Sequence, residues 1–317
     1  MFIKQAFKVQ HDFWRYLIGS VIVFGVNLLA QFPLIIAILI KNGGSGFNDI
    51  SSDSLFNTLD SNTTFFFLLF PFAASLVALF FIVKYLHKQT IVSLTTSRKK
   101  IDWKRVFFAF SLWAVITVVF VGGDYFASPE DYELNFKLVP FLILLALAVI
   151  FVPLQTSLEE YLFRGYLMQG FGTLFKNRWA PLLLTSLIFG GLHFFNPEVT
   201  KLGNIIMIYY IGTGLFLGIM TLMDEGMELA LGYHAANNLI TALLVTADWT
   251  AFRTNSVLKD VSEPSVGLDI LIPVFVVFPI ILLIFSKKYK WTNWGEKLFG
   301  KVEATIEHEI DEIDQQA

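Results

Sequence analysis

The chain has 317 residues, of which 55% are hydrophobic and only 15% charged, and its mean hydropathy is +0.63. A soluble domain carries about 25% charged residues, so this composition excludes an ordinary soluble protein and indicates a polytopic membrane protein. The net charge is −3 and cysteine is absent, which excludes disulfides, thiolate metal sites and cysteine nucleophiles.

Hydrophobic segments recur along the whole chain and predict an all-α bundle of about eight membrane-spanning helices. They cover residues 13–40, 64–86, 106–122, 138–169, 180–195, 204–223, 227–246 and 268–285. The fourth segment is too long for one straight span. Pro153 lies inside it, and because proline removes a helical hydrogen bond, a kink is expected there.

Lysine and arginine concentrate in alternate connections between the segments. The basic connections are residues 4–15, 84–105, 176–178 and 287–290, whereas 49–60, 124–133, 198–201 and 247–267 are acidic or of mixed charge. The positive-inside rule therefore predicts that both termini are cytoplasmic, which requires an even number of spans. The basic connection at 84–105 could also attract anionic membrane lipids, although such charge is more commonly only a topology signal.

Three ionisable side chains interrupt the apolar sequence at "LEEYLFRGY", residues 158–166. A charge deep in a span costs at least ~2.5 kcal/mol, so each one requires a partner or a function. Glu160 and Arg164 are four residues apart and can pair on one helix face. Glu159 points about 100° away from Glu160 and is free to face another group. Solvated charges at an interfacial helix end are the simpler alternative.

Two further segments carry histidines. His193 lies in "FGGLHFF", and His234 and Asn238 share a face of "GYHAANNLITALL". Each has a structural alternative, because a lone histidine or amide on an apolar helix is often only a packing or interhelical contact. Asn237 points elsewhere, and we interpret it as an interhelical hydrogen bond. Together, a carboxylate, two imidazoles and an amide are the components of a hydrolytic site that crossing helices can assemble.

These three motifs resemble those of a known family in both order and spacing. "EEYLFR" fits Glu-Glu-x-x-x-Arg, "FGGLH" fits Phe-x-x-x-His, and "HAANN" fits His-x-x-x-Asn. The pattern is similar to the CPBP family of intramembrane proteases, which includes the CAAX prenyl endopeptidases and the Abi bacteriocin-immunity proteins. The resemblance covers residues 139–245, and the first three segments and the last carry none of it.

The resemblance implies a role for each motif residue. Glu159 would be the general base that activates water, and His193 would help to position that water. His234 and Asn238 would stabilise the oxyanion. The supporting residues would be Glu160 with Arg164, and Phe189 packed behind the histidine.

The hydrophobic segments and the extent of the resemblance together predict an organisation and a location, and the resemblance implies a substrate class. Residues 1–137 would form a three-span N-terminal region, 138–246 the catalytic helix bundle, and 247–317 a loop, the last span and an acidic cytoplasmic tail. The protein would be integral to a bacterial plasma membrane. Its partners would be membrane lipids and a peptide or lipidated, CAAX-like protein substrate, and the sequence contains no nucleic-acid motif.

Cofactor and function class stay open at this point. Glu159, His193 and His234 are candidate zinc ligands, but the His-Glu-x-x-His zinc helix is absent, so the cofactor is either none or a zinc ion. A non-catalytic immunity, binding or scaffold protein is an alternative to a protease, although the complete motifs count against it. A transporter is disfavoured because the polar groups lie only in the second half of the chain.

Overall fold

The computed structural model describes residues 1–42, 58–264 and 267–303. The acidic residues Asp49 and Asp53 and the acidic tail after residue 303 lie outside these ranges. In the first part of the chain a 3-10 turn, Ile3–Lys8, precedes the helices. These are α1 (Phe13–Leu29), α2 (Phe32–Lys41), α3 (Ser61–Phe81, continued by a π-helical turn at Ile82–Leu86), α4 (Ile91–Thr95) and α5 (Trp103–Ala127).

The second part of the chain contains the helices that carry the three motifs. They are α6 (Leu138–Glu160), a π-helical segment (Tyr161–Leu167) with α7 (Met168–Phe175), α8 (Trp179–Leu192) with a 3-10 turn (His193–Phe195), α9 (Pro197–Leu202), α10 (Met207–Asp224) and α11 (Glu228–Leu244). The last helices are α12 (Leu268–Ile272), a π-helical turn (Pro273–Val277) with α13 (Phe278–Tyr289), and α14 (Trp294–Phe299). The predicted all-α class is thus confirmed.

Six helical segments in the described part of the chain are long and apolar enough to cross a membrane. They are Phe13–Lys41, Ser61–Leu86, Trp103–Ala127, Leu138–Phe175, Asn204–Asp224 and Ile270–Tyr289. The other two predicted segments correspond to the shorter helices Trp179–Phe195 and Glu228–Leu244. The second of these is less apolar because it carries Glu228, His234 and two asparagines. The count of eight spans stays a prediction, as does the side on which the termini lie.

The helix that contains Pro153 continues through the proline to Glu160. Its departure from α geometry comes later, at the π-helical segment Tyr161–Leu167, which directly follows the two glutamates and carries Arg164. π-Helical turns cost stability and occur often at functional sites. The irregular turn therefore marks the place in the bundle where the charged residues lie.

Helix α11 occupies the centre of the bundle, where it packs along α5, α6 and α10. Its contact with α5 is close because Gly232 has no side chain: a Cβ there would lie 2.0 Å from the carbonyl oxygen of Val106. Helix α10 packs along α8 in a similar way, and a Cβ on Gly214 would lie 2.9 Å from the backbone of Ser186. The predicted N-terminal and catalytic regions therefore share one helical core.

A small sheet, which the sequence analysis did not predict, joins the connections at one end of the bundle. Its strands are β1 (Tyr132–Leu134), β2 (Val245–Ala247) and β3 (Leu258–Asp260), in the order β1-β3-β2. β1 pairs with β3 antiparallel, and β2 pairs with β3 parallel. This end is the one that the charge pattern predicts to be extracytoplasmic.

The opposite end of the bundle is held by a buried ionic cluster around Asp224, whose side chain is 1% exposed. Arg98 Nη2 lies 2.9 Å from an Asp224 oxygen, and Arg105 pairs with the other oxygen. The indole N–H of Trp291 also donates to Asp224, at 3.0 Å. A buried carboxylate with three charged or polar donors connects the ends of α5, α10 and α13.

Replacing Asp224 by alanine is expected to lower the free energy of unfolding by about 2–3 kcal/mol, because Arg98, Arg105 and the Trp291 indole N–H all lose a buried acceptor. Arg98 keeps its pair with Glu228 and Arg105 keeps its pair with Asp102, so neither guanidinium is left without a counter-charge. Chemical or thermal unfolding of the purified protein measures the loss. Asp12→Ala is the control: the Asp12 side chain is 58% exposed, so its ion pair contributes about 1 kcal/mol or less. Equal stability of the two variants would contradict the prediction.

Candidate active site

The two adjacent glutamates end α6 inside the bundle, where Glu159 is 9% exposed and Glu160 is fully buried. Arg164 is also fully buried, and its Nη1 donates to Glu160 Oε1 at 3.0 Å. Its Nη2 donates to the carbonyl oxygen of Gly214 at 3.3 Å, and its guanidinium lies 4.3 Å from the centre of the Phe189 ring. Glu160 and Arg164 thus pair as the helical spacing suggested, and the pair is tied to α8 and α10.

His234 lies between the two glutamates. Its Nδ1 is 2.8 Å from Glu160 Oε1, and its Nε2 is 3.4 Å from Glu159 Oε2. A neutral imidazole has one N–H, whereas the imidazolium has two and can donate to both carboxylates at once. The central helix α11 therefore places a histidine where it can share a proton with either glutamate.

Two amide side chains complete the environment of Glu159. Gln155, one turn earlier on α6, donates from Nε2 to Glu159 Oε1 at 2.6 Å. Asn238 donates from Nδ2 to Gln155 Oε1 at 3.0 Å. A primary amide has two N–H donors, so Asn238 keeps one for another acceptor. One oxygen of Glu159 is thus held by an amide, and the other faces His234.

His193 is held on the neighbouring helix, at the end of α8. Its Nδ1 lies 2.8 Å from the carbonyl oxygen of Phe189, so that nitrogen carries the proton in the neutral ring and Nε2 is left as the acceptor. The imidazole stacks on Tyr210 with ring centres 4.5 Å apart. Among the described residues it makes no hydrogen bond to Glu159. Phe189 connects the two histidines, because its ring centre is 4.8 Å from that of His193 and 6.1 Å from that of His234.

Two groups in or near the site were missed by the sequence analysis. Gln155 had a usable signal, since it is a polar residue in an apolar run, four positions before Glu159 on the same helix face. Glu198, just outside the bundle, was assigned only to a loop. It accepts a hydrogen bond from the backbone N–H of Ala251, at 2.8 Å. Burial raises the pKa of Glu198, and the Ala251 N–H and nearby His193 act in the opposite direction.

The candidate zinc ligands Glu159, His193 and His234 do not converge as a metal site. In the described ranges there is no group of three or more histidine, cysteine, aspartate or glutamate side chains placed to hold a metal ion. A catalytic zinc requires about three such protein ligands and an open position. The donor set does not fit zinc, and the chemistry considered below uses no metal.

The arrangement has the groups that hydrolysis of an amide requires. A buried carboxylate, Glu159, can accept a proton from water. The imidazolium form of His234 and the second N–H of Asn238 can stabilise a developing negative charge. These side chains come from α6 and α11, and the intervening helices α8 and α10 hold the supporting arginine.

Comparison with known proteins places the same residues in a family. A family model described as type II CAAX prenyl endopeptidase Rce1-like matches residues 138–240, which include all three motifs. An uncharacterized protein, YyaK of Bacillus subtilis (strain 168), is 30% identical over 294 residues, covering 89% of this chain and 95% of the relative. No solved structure matches the chain. The protein is therefore integral to a membrane and belongs to the Rce1-like group of the CPBP family of intramembrane proteases.

Proposed function

We propose that this protein is an intramembrane endopeptidase that hydrolyses peptide bonds of membrane-associated or lipidated, CAAX-like substrates with water activated by Glu159. One observation carries the proposal: a buried glutamate with one oxygen held by Gln155 and the other facing His234. Burying a carboxylate in a membrane protein costs free energy, so such residues are retained mainly where they have a function. The family supports the same reaction class.

The reaction proceeds through addition of water and departure of an amine. Glu159 Oε2 takes a proton from water as the water oxygen adds to the carbonyl carbon of the scissile bond. The imidazolium form of His234, which donates from Nδ1 to Glu160 and from Nε2 into the site, and the free N–H of Asn238 stabilise the oxyanion of the tetrahedral intermediate. The C–N bond then breaks, and the proton passes from Glu159 to the leaving nitrogen.

His193 and the Glu160–Arg164 pair support this reaction without exchanging protons with the substrate. The Nδ1–H of His193 donates to the Phe189 carbonyl oxygen. The Nε2 of the same ring can therefore accept a hydrogen bond from the attacking water. Glu160 accepts from both Arg164 and His234 Nδ1, which fixes the orientation of the His234 ring. A ring fixed in this way presents Nε2 toward Glu159 and the reacting carbonyl.

The depth of the site supports a substrate that approaches from the predicted cytoplasmic end. An α-helix rises 1.5 Å per residue, so Glu159 lies about 30 Å from Leu138. That distance is close to the thickness of the hydrocarbon layer, about 30 Å. His234 lies about 9 Å from Glu228, the first residue of α11. A peptide whose C-terminus is anchored by a lipid chain could place its scissile bond at this shallow depth.

Cleavage of synthetic peptides by the purified protein tests the proposal. Farnesylated C-terminal peptides and identical peptides without the lipid are incubated with the wild type, Glu159→Gln and Glu133→Gln in detergent or nanodiscs. Glu133 is an exposed carboxylate on β1 and serves as the matched control. We expect the wild type and Glu133→Gln to cleave the lipidated peptide, and Glu159→Gln to leave it intact.

A chelator arm tests the metal-free chemistry in the same assay. Because the donor set does not fit zinc, we expect 1,10-phenanthroline or EDTA to change kcat by less than about 2-fold. Activity that a chelator abolishes and zinc restores would show a metal-dependent reaction instead. The opposite outcome is that the wild type and Glu159→Gln give the same cleavage pattern. The protein would then have the fold without the activity, as an immunity or binding protein would.

A further inference from the structure

A continuous chain of side-chain hydrogen bonds runs from α5 through α11 to Glu159. Its four bonds are Trp113 Nε1 to Asn237 Oδ1 (3.0 Å), Asn237 Nδ2 to Asn238 Oδ1 (3.0 Å), Asn238 Nδ2 to Gln155 Oε1 (3.0 Å) and Gln155 Nε2 to Glu159 Oε1 (2.6 Å). We refer to these five residues as the amide relay. The interhelical bond expected for Asn237 is its first bond.

The direction of the relay is fixed at both of its ends. An indole nitrogen is only a donor, so Trp113 must meet the oxygen of Asn237, which leaves the Asn237 nitrogen to donate onward. An ionised carboxylate is only an acceptor, so Gln155 must present its nitrogen to Glu159. An isolated amide could be flipped without a clear cost, but each amide here has one orientation that satisfies both of its neighbours.

The relay begins outside the region that the family model matches. Trp113 lies on α5, whereas the matched residues are 138–240. Its indole packs against the buried Tyr233, with ring centres 4.5 Å apart, so α5 holds the indole in place next to α11. The close approach at Gly232 brings α5 to this position. A helix without any catalytic motif thus contacts the catalytic residues through a polar side chain.

We propose that Trp113, Asn237 and Gln155 are positioning residues that determine which atoms of Glu159 and Asn238 are free to act on the substrate. The proposal rests on the proposed role of Glu159 as the base. Gln155 occupies Oε1 of Glu159, so Oε2 is the oxygen that remains for water, next to His234 Nε2. The bond from Asn238 to Gln155 uses one of its two N–H donors and directs the other toward the oxyanion.

Gln155→Met and Trp113→Phe test this role, since each removes the hydrogen bonds of the side chain. Methionine keeps the length of glutamine, and phenylalanine keeps an aromatic ring next to Tyr233. We expect Gln155→Met to lower kcat about 10- to 100-fold, because a displacement of the reacting group of about 1 Å can cost about 10²-fold. Trp113→Phe should lower kcat about 3- to 10-fold, since the bond between Gln155 and Glu159 remains. KM should change less than about 2-fold in both variants, because neither residue binds the substrate.

Matched controls separate the relay from general loss of packing. Gln169→Met makes the same change at a fully buried glutamine on α7, which bonds Gln89 and the Ser93 carbonyl outside the relay. Trp103→Phe makes the same change at the start of α5, where the side chain is exposed, and so controls for the loss of an indole from this helix rather than for packing. Both controls should keep the wild-type kcat. The double variant Trp113→Phe/Gln155→Met should lose no more activity than Gln155→Met alone, because the residues act as a unit.

An NMR measurement tests the relay without a substrate. The chain has seven tryptophans, so ¹⁵N-indole labelling gives few resonances, and Trp113→Phe identifies the one from Trp113. We expect Asn237→Leu and Gln155→Met to shift that resonance and Gln169→Met to leave it unchanged. If neither relay substitution changes the chemical shift of the Trp113 resonance, the proposed hydrogen-bond chain is wrong.

The two proposals fail in different ways. If Glu159→Gln is inactive while Gln155→Met keeps the wild-type kcat, the relay has no catalytic role and the proposed base stands. If Glu159→Gln cleaves as fast as the wild type, Glu159 is not the base, and the positioning role falls with it even if the indole resonance responds.

Discussion

Replacing Glu159 by glutamine is expected to lower kcat by about 10²- to 10⁴-fold, the range typical of losing a general base. The melting temperature should change by only a few degrees. Glutamine keeps an oxygen that can accept from Gln155 Nε2. His234 Nε2 lies 3.4 Å from Glu159, whereas its Nδ1 keeps the shorter 2.8 Å contact with Glu160, so the main ionic contact of the histidine remains. Peptide cleavage and thermal unfolding of the same preparation measure both effects.

The neighbouring glutamate is the matched control. The same chemical change one residue later should lower stability strongly, whereas Glu159→Gln should lower kcat and leave stability nearly unchanged. Glu160→Gln removes the counter-charge of Arg164, which is fully buried, and is expected to cost about 3–5 kcal/mol of stability. A Glu159→Gln protein that is destabilised as much as Glu160→Gln, or that keeps more than about a tenth of the wild-type kcat, would contradict the division of roles between the two carboxylates.

The pairing of one glutamate with the arginine was predictable from the sequence because it depends on helical geometry. Residues four apart share a helix face, so the pairing of Glu160 with Arg164 could be expected before the structure was known. Hydropathy likewise predicted the positions of the long helices, since apolar length in a membrane protein is a local property. The motif spacing indicated the family, which the comparisons then established.

The arrangement of the histidines could not be predicted, because it depends on how helices rotate and slide against each other. The family resemblance implied that His193 helps to position the water activated by Glu159, and that role stays a proposal. In the structure His234 is the histidine that faces Glu159, and the His193 ring is stacked on Tyr210. The close approaches at Gly214 and Gly232 set these rotations, and a single sequence does not indicate which glycines allow them.

The contribution of α5 was beyond sequence analysis for a similar reason. Trp113 is one of many apolar and aromatic residues in its segment, and nothing in the sequence distinguishes it from a lipid-facing side chain. Its indole N–H has a role only because Asn237 lies within 3.0 Å on another helix. Polar contacts between helices distant in sequence therefore account for most of what the structure adds at the site.

Replacing Arg164 by methionine is expected to be among the most destabilising single changes in the protein. Glu160 would remain fully buried with His234 Nδ1 as its main polar partner, and Glu160 Oε2 already has no hydrogen-bond partner among the residues that the structure describes. Removing one member of a buried ion pair costs about 3–5 kcal/mol. We expect a correspondingly lower melting temperature and no measurable peptide cleavage.

The double variant Glu160→Gln/Arg164→Met distinguishes loss of charge pairing from loss of packing. It removes both buried charges, so it should recover at least half of the melting temperature lost by Arg164→Met. Activity should remain about 10- to 100-fold below the wild type, because His234 Nδ1 then faces a neutral amide and its ring is held less firmly. A double variant no more stable than Arg164→Met would show that the arginine acts through Gly214 and Phe189 instead. Full recovery of activity would show that the pair only stabilises the fold and that orientation of His234 does not depend on the Glu160 carboxylate.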